Sequence, residues 1–572
     1  MQDDFRVTSK LRLSVGLRYE REGGTYERFD RGVSGGILGD LKYTWSDAVV
    51  AAYAKNPLAE LPAAQFKVIG GGEYLGARTK SYSDGTHTFQ PRIGAVYSIN
   101  SKTVIRTGYG MYYDTLNVAN DRPSQAGFSQ ATGTTLTNDN GLTFCCGTNS
   151  IAGLTASNNP MINPFPVRAD GTRFDVPLRN SLGANRLVGS GFTLLPRDFT
   201  PARQSRWRVG VQRELRKDLM IDVSYNGAYS SIPLVQRIDY LPGQYWATGN
   251  TRNQAVDDFL NFLVPNPFHF SNLSALQTSD PAVYRYFTTQ GFFTGKDTSR
   301  NRLLRQYPQL NGWNGARPGG DTVRGGNKYN DLQLLLERRF AKGFMSSLIY
   351  TYSRSTESDF FANEFDTTPT SRIQDANRPH RFVWTGIYEL PFGKGRQYLQ
   401  SGPLQHIAGG WQMSWVYQRQ SGPVTGWGNR FFYGDINGIG DLFKHDSVNS
   451  SDIHQWFDPS IAYRGTGAIP QGFVGFEGRT ANQPGSYQVR VFPTRLEDLR
   501  EDGIRNWDVK LLRKFKIHER LNTTFAVDLL NATNHTNFSG PNTDPTNVST
   551  FGRVTSQRGL SRIIQFNLRF DY

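Results

Sequence analysis

Cysteine is almost missing from these 572 residues: there are two, adjacent at Cys145 and Cys146, which excludes a disulfide-stapled scaffold and a four-cysteine zinc site. The pair reads either as a strained vicinal disulfide or as two unpaired loop thiols. Long apolar runs are missing as well. Only 37% of the chain is hydrophobic, mean hydropathy is −0.51, and no stretch nears the roughly 20 apolar residues of a spanning helix. The opening Met1-Gln2-Asp3-Asp4-Phe5 has neither the basic region nor the apolar core of a signal peptide, so the chain reads as cytosolic or as lacking its true N-terminus. Basic runs are absent too. The net charge is +15, yet the arginines are scattered, so nucleic acid is not an expected partner. Neither a nucleophile elbow nor an H-E-x-x-H helix stands out. Ile69-Gly70-Gly71-Gly72-Glu73 lacks the following helix and Lys-Ser/Thr of a phosphate cradle. The expectation is a protein that is not an enzyme.

What the chain does have is aromatics, at 13%, together with 59 glycines, a pairing that favours sheets and turns. Period-2 alternation is cleanest at the end. In Ser561–Tyr572, Ile564, Phe566, Leu568, Phe570 and Tyr572 fall on one face, and Gln565, Asn567, Arg569 and Asp571 on the other. The same pattern predicts thirteen strands, at 2–7, 10–21, 87–99, 102–114, 205–215, 219–231, 328–340, 343–355, 380–391, 409–420, 504–517, 519–531 and 561–572. Most run ten to fourteen residues, longer than the usual five or six of globular strands and matched to a tilted crossing of a bilayer.

Their connections alternate between short turns and the long loops 22–86, 115–204, 232–327, 356–379, 421–503 and 532–560. A soluble sandwich also alternates apolar and polar residues, but it does so with short strands and regular short turns. Long strands in tight hairpins, trimmed at one end and overgrown at the other, predict an all-β, transmembrane antiparallel barrel with long extracellular loops in the bacterial outer membrane. In hydrocarbon each unpaired backbone group costs several kcal/mol, which demands closure. The loops are rich in Gly, Asn, Pro, Ser and Thr, which predicts exposed turns and one domain over 1–572. Trp207, Tyr229, Tyr352, Trp384, Trp411 and Trp507 are candidates for interfacial girdles. Bacterial single-chain barrels have an even number of strands, so thirteen predicts the C-terminal part of a larger barrel.

Several motifs in order then resemble one family. They are Asp3-Asp4-Phe5-Arg6-Val7-Thr8, Leu17-Arg18-Tyr19-Glu20, Phe89-Gln90-Pro91-Arg92-Ile93-Gly94 and Arg106-Thr107-Gly108-Tyr109-Gly110. Further on come Arg378-Pro379-His380-Arg381-Phe382, Tyr388-Glu389-Leu390-Pro391-Phe392-Gly393-Lys394-Gly395, Gly409-Gly410-Trp411-Gln412 and Leu529-Leu530-Asn531-Ala532-Thr533-Asn534-His535. Across nearly every strand the chain resembles the barrel of TonB-dependent receptors, in particular the Oar-like group. The resemblance implies a 22-stranded barrel with an N-terminal plug and a TonB-contacting segment, neither of which is in this sequence. It also implies uptake of a nutrient too large for porins, of the siderophore, peptide or oligosaccharide class, energised through TonB. Phe566, Leu568, Phe570 and Tyr572 look like the terminal signal read by the barrel-assembly machinery. Two competing readings are a surface adhesion or polysaccharide-binding β protein and a passive porin-like channel.

One cofactor candidate remains. Asp435-Ile436-Asn437-Gly438-Ile439-Gly440-Asp441 spaces oxygen ligands as calcium loops do, making Asp435, Asn437 and Asp441 candidate ligands, with Asp446 replacing the later Glu and a solvated Gly-rich turn as the plainer reading. His445, Asp452 and His454 have no ligand geometry in their spacing. Arg12, Arg18, Arg92, Arg208, Lys510 and Arg569 fall on the lumen side. They either set a positive field or, as the preferred reading, pair with acids such as Glu20, Asp222, Glu337 and Asp528. Basic residues near strand ends are placed to meet the phosphates of lipopolysaccharide, alongside outer-membrane lipid.

Overall fold

Each alternating run lies in a strand of one antiparallel sheet in the computed structural model. The model describes every residue except 1, 25, 77–83, 116–123, 134–139, 141–164, 166, 195–199, 250–251, 319–321, 436–453, 467–468, 479–485, 493, 519–520 and 572. In chain order the strands are β1 (Gln2–Arg6), β2 (Leu11–Gly23), β3 (Gly85–Asn100), β4 (Thr103–Tyr113), β5 (Arg203–Arg216), β6 (Leu219–Pro233) and β7 (Arg324–Ala341). They continue with β8 (Phe344–Phe360), β9 (His380–Glu389), β10 (Trp411–Gln420), β11 (Ile504–His518), β12 (Leu521–Leu530) and β13 (Ile563–Asp571). Sheet order follows chain order throughout, as an up-and-down wall requires. A short strand, Thr370–Ile373, also pairs with β8, at a place where the sequence predicted only loop. Among the described residues no helix is long and apolar enough to cross a membrane.

The register shows why alternation matters. Across eight strands, Leu11 is followed by its ladder partners Tyr97, Ile105, Val211, Val223, Leu334, Tyr350 and Phe382. The row one residue along reads Arg12, Val96, Arg106, Gly210, Ser224, Gln333, Thr351 and Arg381. The first row is apolar or aromatic at every position, and the second is mostly polar. Because side chains alternate with period 2, this separation holds across these eight strands, and the apolar row then runs into Arg419 and Arg505. Among the described residues no protein layer covers the apolar face: Val211 is 42% exposed and Leu332 49%. Water would penalise such a surface, at about 25 cal/mol per Å² of apolar area left uncovered, and acyl chains would not. The row therefore faces lipid.

Two glycines let tryptophan lie on this outer face. Trp207 stands directly across the ladder from Gly227, and Trp415 from Gly386. Each indole occupies the space that a Cβ on its glycine would need. Trp415 also stacks edge-on with Trp384, with ring centroids 5.1 Å apart. Trp384 thus sits in an aromatic band within β9 to β11, among Trp415, Tyr417 and Trp507, and not at a strand end.

At one rim the strands are joined by tight hairpins. Lys217-Asp218 joins β5 to β6, and Lys342-Gly343 joins β7 to β8 with φ of +52° and +76°, the left-handed region that such turns require. A register irregularity lies beside the turns of β3–β4, β5–β6, β7–β8 and β11–β12, consistent with bulges that twist the strands as they close.

The opposite rim differs from expectation. The described parts of the loops, read as exposed turns, instead fold into a cap with three buried apolar clusters among the described residues. The largest joins Trp45, Val49 and Phe66 from the first long loop with Leu182 from the second and Phe268, Phe287 and Phe293 from the third. A second brings Val33 and Tyr74 together with Leu187, Leu194, Ile238 and Trp313. The third packs Trp427, Phe457 and Phe476 against Phe551 of the last loop. Short capped helices hold these side chains in place. At Pro281–Phe287 the N-cap Asp280 accepts from the Val283 amide at 3.1 Å, with Pro281 at the first helical position. The cap forms because these loops hold enough aromatic residues to bury, at about 1.5–3 kcal/mol for each fully covered large side chain.

Candidate functional site

The cap and the strand ends together line an open cavity of about 840 Å³, with Arg237, Trp246, Asp359, Phe361, Glu364 and Arg490 among its walls. Behind the lining, Asp239 holds Arg237 in place. This carboxylate is fully buried and accepts from Arg237 Nε at 2.8 Å and Nη2 at 3.2 Å, and from the amides of Gly312 at 2.8 Å and Trp313 at 2.9 Å. A buried carboxylate is tolerable only with this degree of satisfaction. Glu364 accepts from the Leu241 amide at 2.9 Å and from Arg305 Nη1 at 3.1 Å, and it lies 3.7 Å from Arg237.

Arginines knit the surroundings. Arg317 donates to the carbonyls of Arg237 and Glu364 at 3.1 and 2.7 Å while stacking 4.1 Å over Tyr240. Burial pushes the Arg302 guanidinium down to about 10, aided by the charge of neighbouring Arg305. Burial also lowers Arg317. The cavity thus offers fixed donors, fixed carboxylates and the aromatic faces of Trp246 and Phe361 on a rigid frame. Such a lining can orient a polar ligand that also carries apolar surface.

The wall's inner side settles where several predicted charges go. Arg208 pairs with Asp222 at 3.3 Å, Lys510 with Asp528 at 3.0 Å, and Arg18 with Glu20, as the pairing reading prefers. Arg569 pairs with Asp571 at 2.7 Å, an acid the sequence reading did not single out. Arg92 instead stacks 4.9 Å over Tyr112.

Of the assembly-signal residues, Phe566, Leu568 and Phe570 lie on β13 with their side chains 57–70% exposed; Tyr572 lies outside the described residues. In the calcium-loop candidate Asp435 is exposed, while Asn437 and Asp441 lie outside the described residues, as do Cys145, Cys146, His445, Asp446 and Asp452. Among the described residues no group of three His, Cys, Asp or Glu side chains is placed to hold a metal. Gly32-Val33-Ser34-Gly35-Gly36 has the spelling of a nucleophile elbow that the sequence reading passed over. Ser34, however, is buried in a loop with no helix after it, so it lacks the exposed strand-to-helix turn of such a nucleophile.

The cavity residues were missed because none of them forms a motif. Arg237 and Asp239 come from one loop and Glu364 from the next, and the fold alone brings them together.

A wall with its greasy side outward, hairpins at one rim and a folded cap at the other defines a transmembrane β-barrel protein. The chain belongs to the outer membrane beta barrel domain family, whose model matches residues 1–565. This places it in the bacterial outer membrane. Comparison with curated proteins gave no match. Among solved structures it is similar to the outer membrane transporter YddB from Escherichia coli, at 10% identity and a TM-score of 0.35, covering 97% of this chain and 45% of that one. It is also similar to the ferripyoverdine receptor of Pseudomonas aeruginosa bound to ferripyoverdine, at 10% identity and a TM-score of 0.33, covering 100% and 37%. A third is BauA, the ferric preacinetobactin receptor from Acinetobacter baumannii, at 8% identity and 0.35, covering 98% and 40%. The chain therefore spans less than half the length of these structures.

Proposed function

We propose that this chain is the C-terminal part of an outer-membrane, TonB-dependent uptake receptor, supplying wall and cap for a large nutrient ligand. The observation that carries this reading is the folded cap over a charged, aromatic-lined cavity of about 840 Å³ on the wall's long-loop side. A passive pore has no need to invest three apolar clusters in its outer loops, whereas a receptor needs a rigid surface that presents donors and acceptors in fixed positions. The family resemblance of the strand motifs supplies the TonB coupling and the expectation of a 22-stranded barrel with a plug. A siderophore, peptide or oligosaccharide would each find partners in Arg237, Glu364, Arg490 and Trp246.

The test is growth of a strain carrying the intact gene on panels of ferric siderophores, peptides and oligosaccharides, with and without TonB. Growth on one class that is lost with TonB supports the reading. Uptake that persists without TonB returns the chain to the porin-like class, and cell-surface binding without uptake returns it to the adhesin class.

A further inference from the structure

On the lipid-facing side of the wall, at the rim carrying the long loops, two arginines face each other. Arg419 of β10 is the direct ladder partner of Arg505 of β11, and Arg419 is also the ladder partner of Phe382 of β9. Phe382 belongs to the apolar row, so both guanidiniums project toward lipid. Like charges directly opposite on a sheet destabilise it. Among the described residues neither guanidinium is ion-paired with a carboxylate. The nearby Asp502 carboxylate instead accepts from the Phe538 amide at 2.8 Å.

The two arginines line a cleft of about 600 Å³ together with His380, His535, Tyr350 and Phe382. Tyr350 Oη bonds His380 Nδ1 at 2.8 Å, which fixes that imidazole at the cleft wall. From Phe382, beside Arg419, an edge-on aromatic series runs toward the middle of the strands through Tyr417 and Trp507, with centroids 6.1 and 6.5 Å apart. The arrangement is thus a cationic fork above an apolar, aromatic strip, on the outside of the wall.

We propose that this cleft binds the phosphate of a phosphorylated glycolipid of the outer leaflet, with its acyl chains lying on the aromatic strip. Two guanidinium forks can each donate two hydrogen bonds to phosphate oxygens, and an anion between them turns the unfavourable like-charge pair into a bridge. The imidazoles of His380 and His535 stand at the edge for the sugar or for a second phosphate oxygen. The outward direction selects a lipid over a nutrient, because cargo meets the opposite face of the wall. The proposal rests on the lipid-facing reading of that face and not on the uptake reading.

The experiment uses protein extracted from outer membranes in mild detergent, with retained phosphorylated lipid A counted by native mass spectrometry. R419Q/R505Q, which removes two charge-assisted contacts, is expected to lower retention by more than about tenfold, while R419K/R505K, which keeps charge but loses the forks, retains an intermediate amount. R513Q is the control. Arg513 lies on the same outer face at the hairpin rim, across from Trp411, and its removal should leave retention unchanged. Added dephosphorylated lipid A should not be retained, and inorganic phosphate should not displace the bound lipid. Equal retention by R419Q/R505Q, or retention of the dephosphorylated lipid, overturns the proposal. Displacement by inorganic phosphate assigns the fork to free anions and overturns the glycolipid. Heat-modifiable migration of each variant establishes that the wall is folded. Because the readout is bound lipid, a protein that transports nothing still gives a decisive answer.

Discussion

The wall and the cap use the same side chains in opposite senses. Phe566 on β13 is 70% exposed, whereas Phe268, Phe287 and Phe293 in the cap are completely buried. The wall is held by backbone ladders and by the medium outside it. The cap is held by its own packing, as a soluble domain is, although it is assembled from loops. Hydrophobicity alone therefore does not tell where a residue lies in this protein; the solvent that each region meets decides it.

Substitutions that suit one solvent and not the other can break this contrast. The largest effect is expected from Trp313→Ala in the cap. The Trp313 indole is fully buried, packs edge-on against Phe192 at 5.2 Å and donates to the Ser190 carbonyl at 2.6 Å. Its loss should cost about 3–5 kcal/mol. Limited proteolysis should then cut the loops while heat-modifiable migration of the wall persists. A wall that melts with the cap would show that the two are one cooperative unit.

Val223→Arg is the converse test, at a cost of about 2–4 kcal/mol near mid-bilayer. Val223 sits in the apolar row between Val211 and Leu334. Urea titration in lipid vesicles should register the loss, with proteolysis of the cap unchanged. A neutral result would mean that this row does not meet acyl chains.

The smallest effect is in pH. Burial pushes the Tyr74 phenol up to about 12, and burial followed by the adjacent Glu477 carboxylate does the same for Tyr433; both tyrosines lie in the cap. Below pH 10 these phenols are neutral in folded and unfolded cap alike, so they add no pH dependence there. Between about 10 and 12 the unfolded chain releases protons that the folded cap retains, so cap stability falls as pH rises through that window. Phenolate absorbance and proteolysis, followed together, should show loops opening in this range. Opening that begins well below pH 10 would require a different cause.

The wall was legible because its code is local. Each of Val209, Val211 and Leu215 announces its face by its distance from the next, and the hairpin at Lys217-Asp218 passes the register on to β6. For the same reason the Arg208–Asp222 pair could be anticipated from two strands joined by a short turn. The cap carries no such period. Trp45 meets Asn185 through a 2.7 Å hydrogen bond and Phe287 through an edge-on contact, partners 140 and 242 positions away. Local marks did exist. Asp280-Pro281 opens a helix and Asn253 caps another, and these start signals within a supposed loop were the clue to folded structure that composition concealed. The cavity was beyond reach, since Arg237, Asp239 and Glu364 acquire meaning only after the loops have packed.

The tight hairpins carry a consequence for how such a gene can change. Between Ala341 and Phe344 there are only Lys342 and Gly343, both held at positive φ. Adding one codon within a strand beside this turn, unless a bulge absorbs it, would invert the side chains of that strand beyond the insertion, setting leucines toward the pore and arginines toward acyl chains. The distant rim has no such constraint, because its segments are anchored by clusters and not by counting. Insertions and deletions can therefore accumulate at the end that meets the environment, while the end toward the cell keeps its arithmetic.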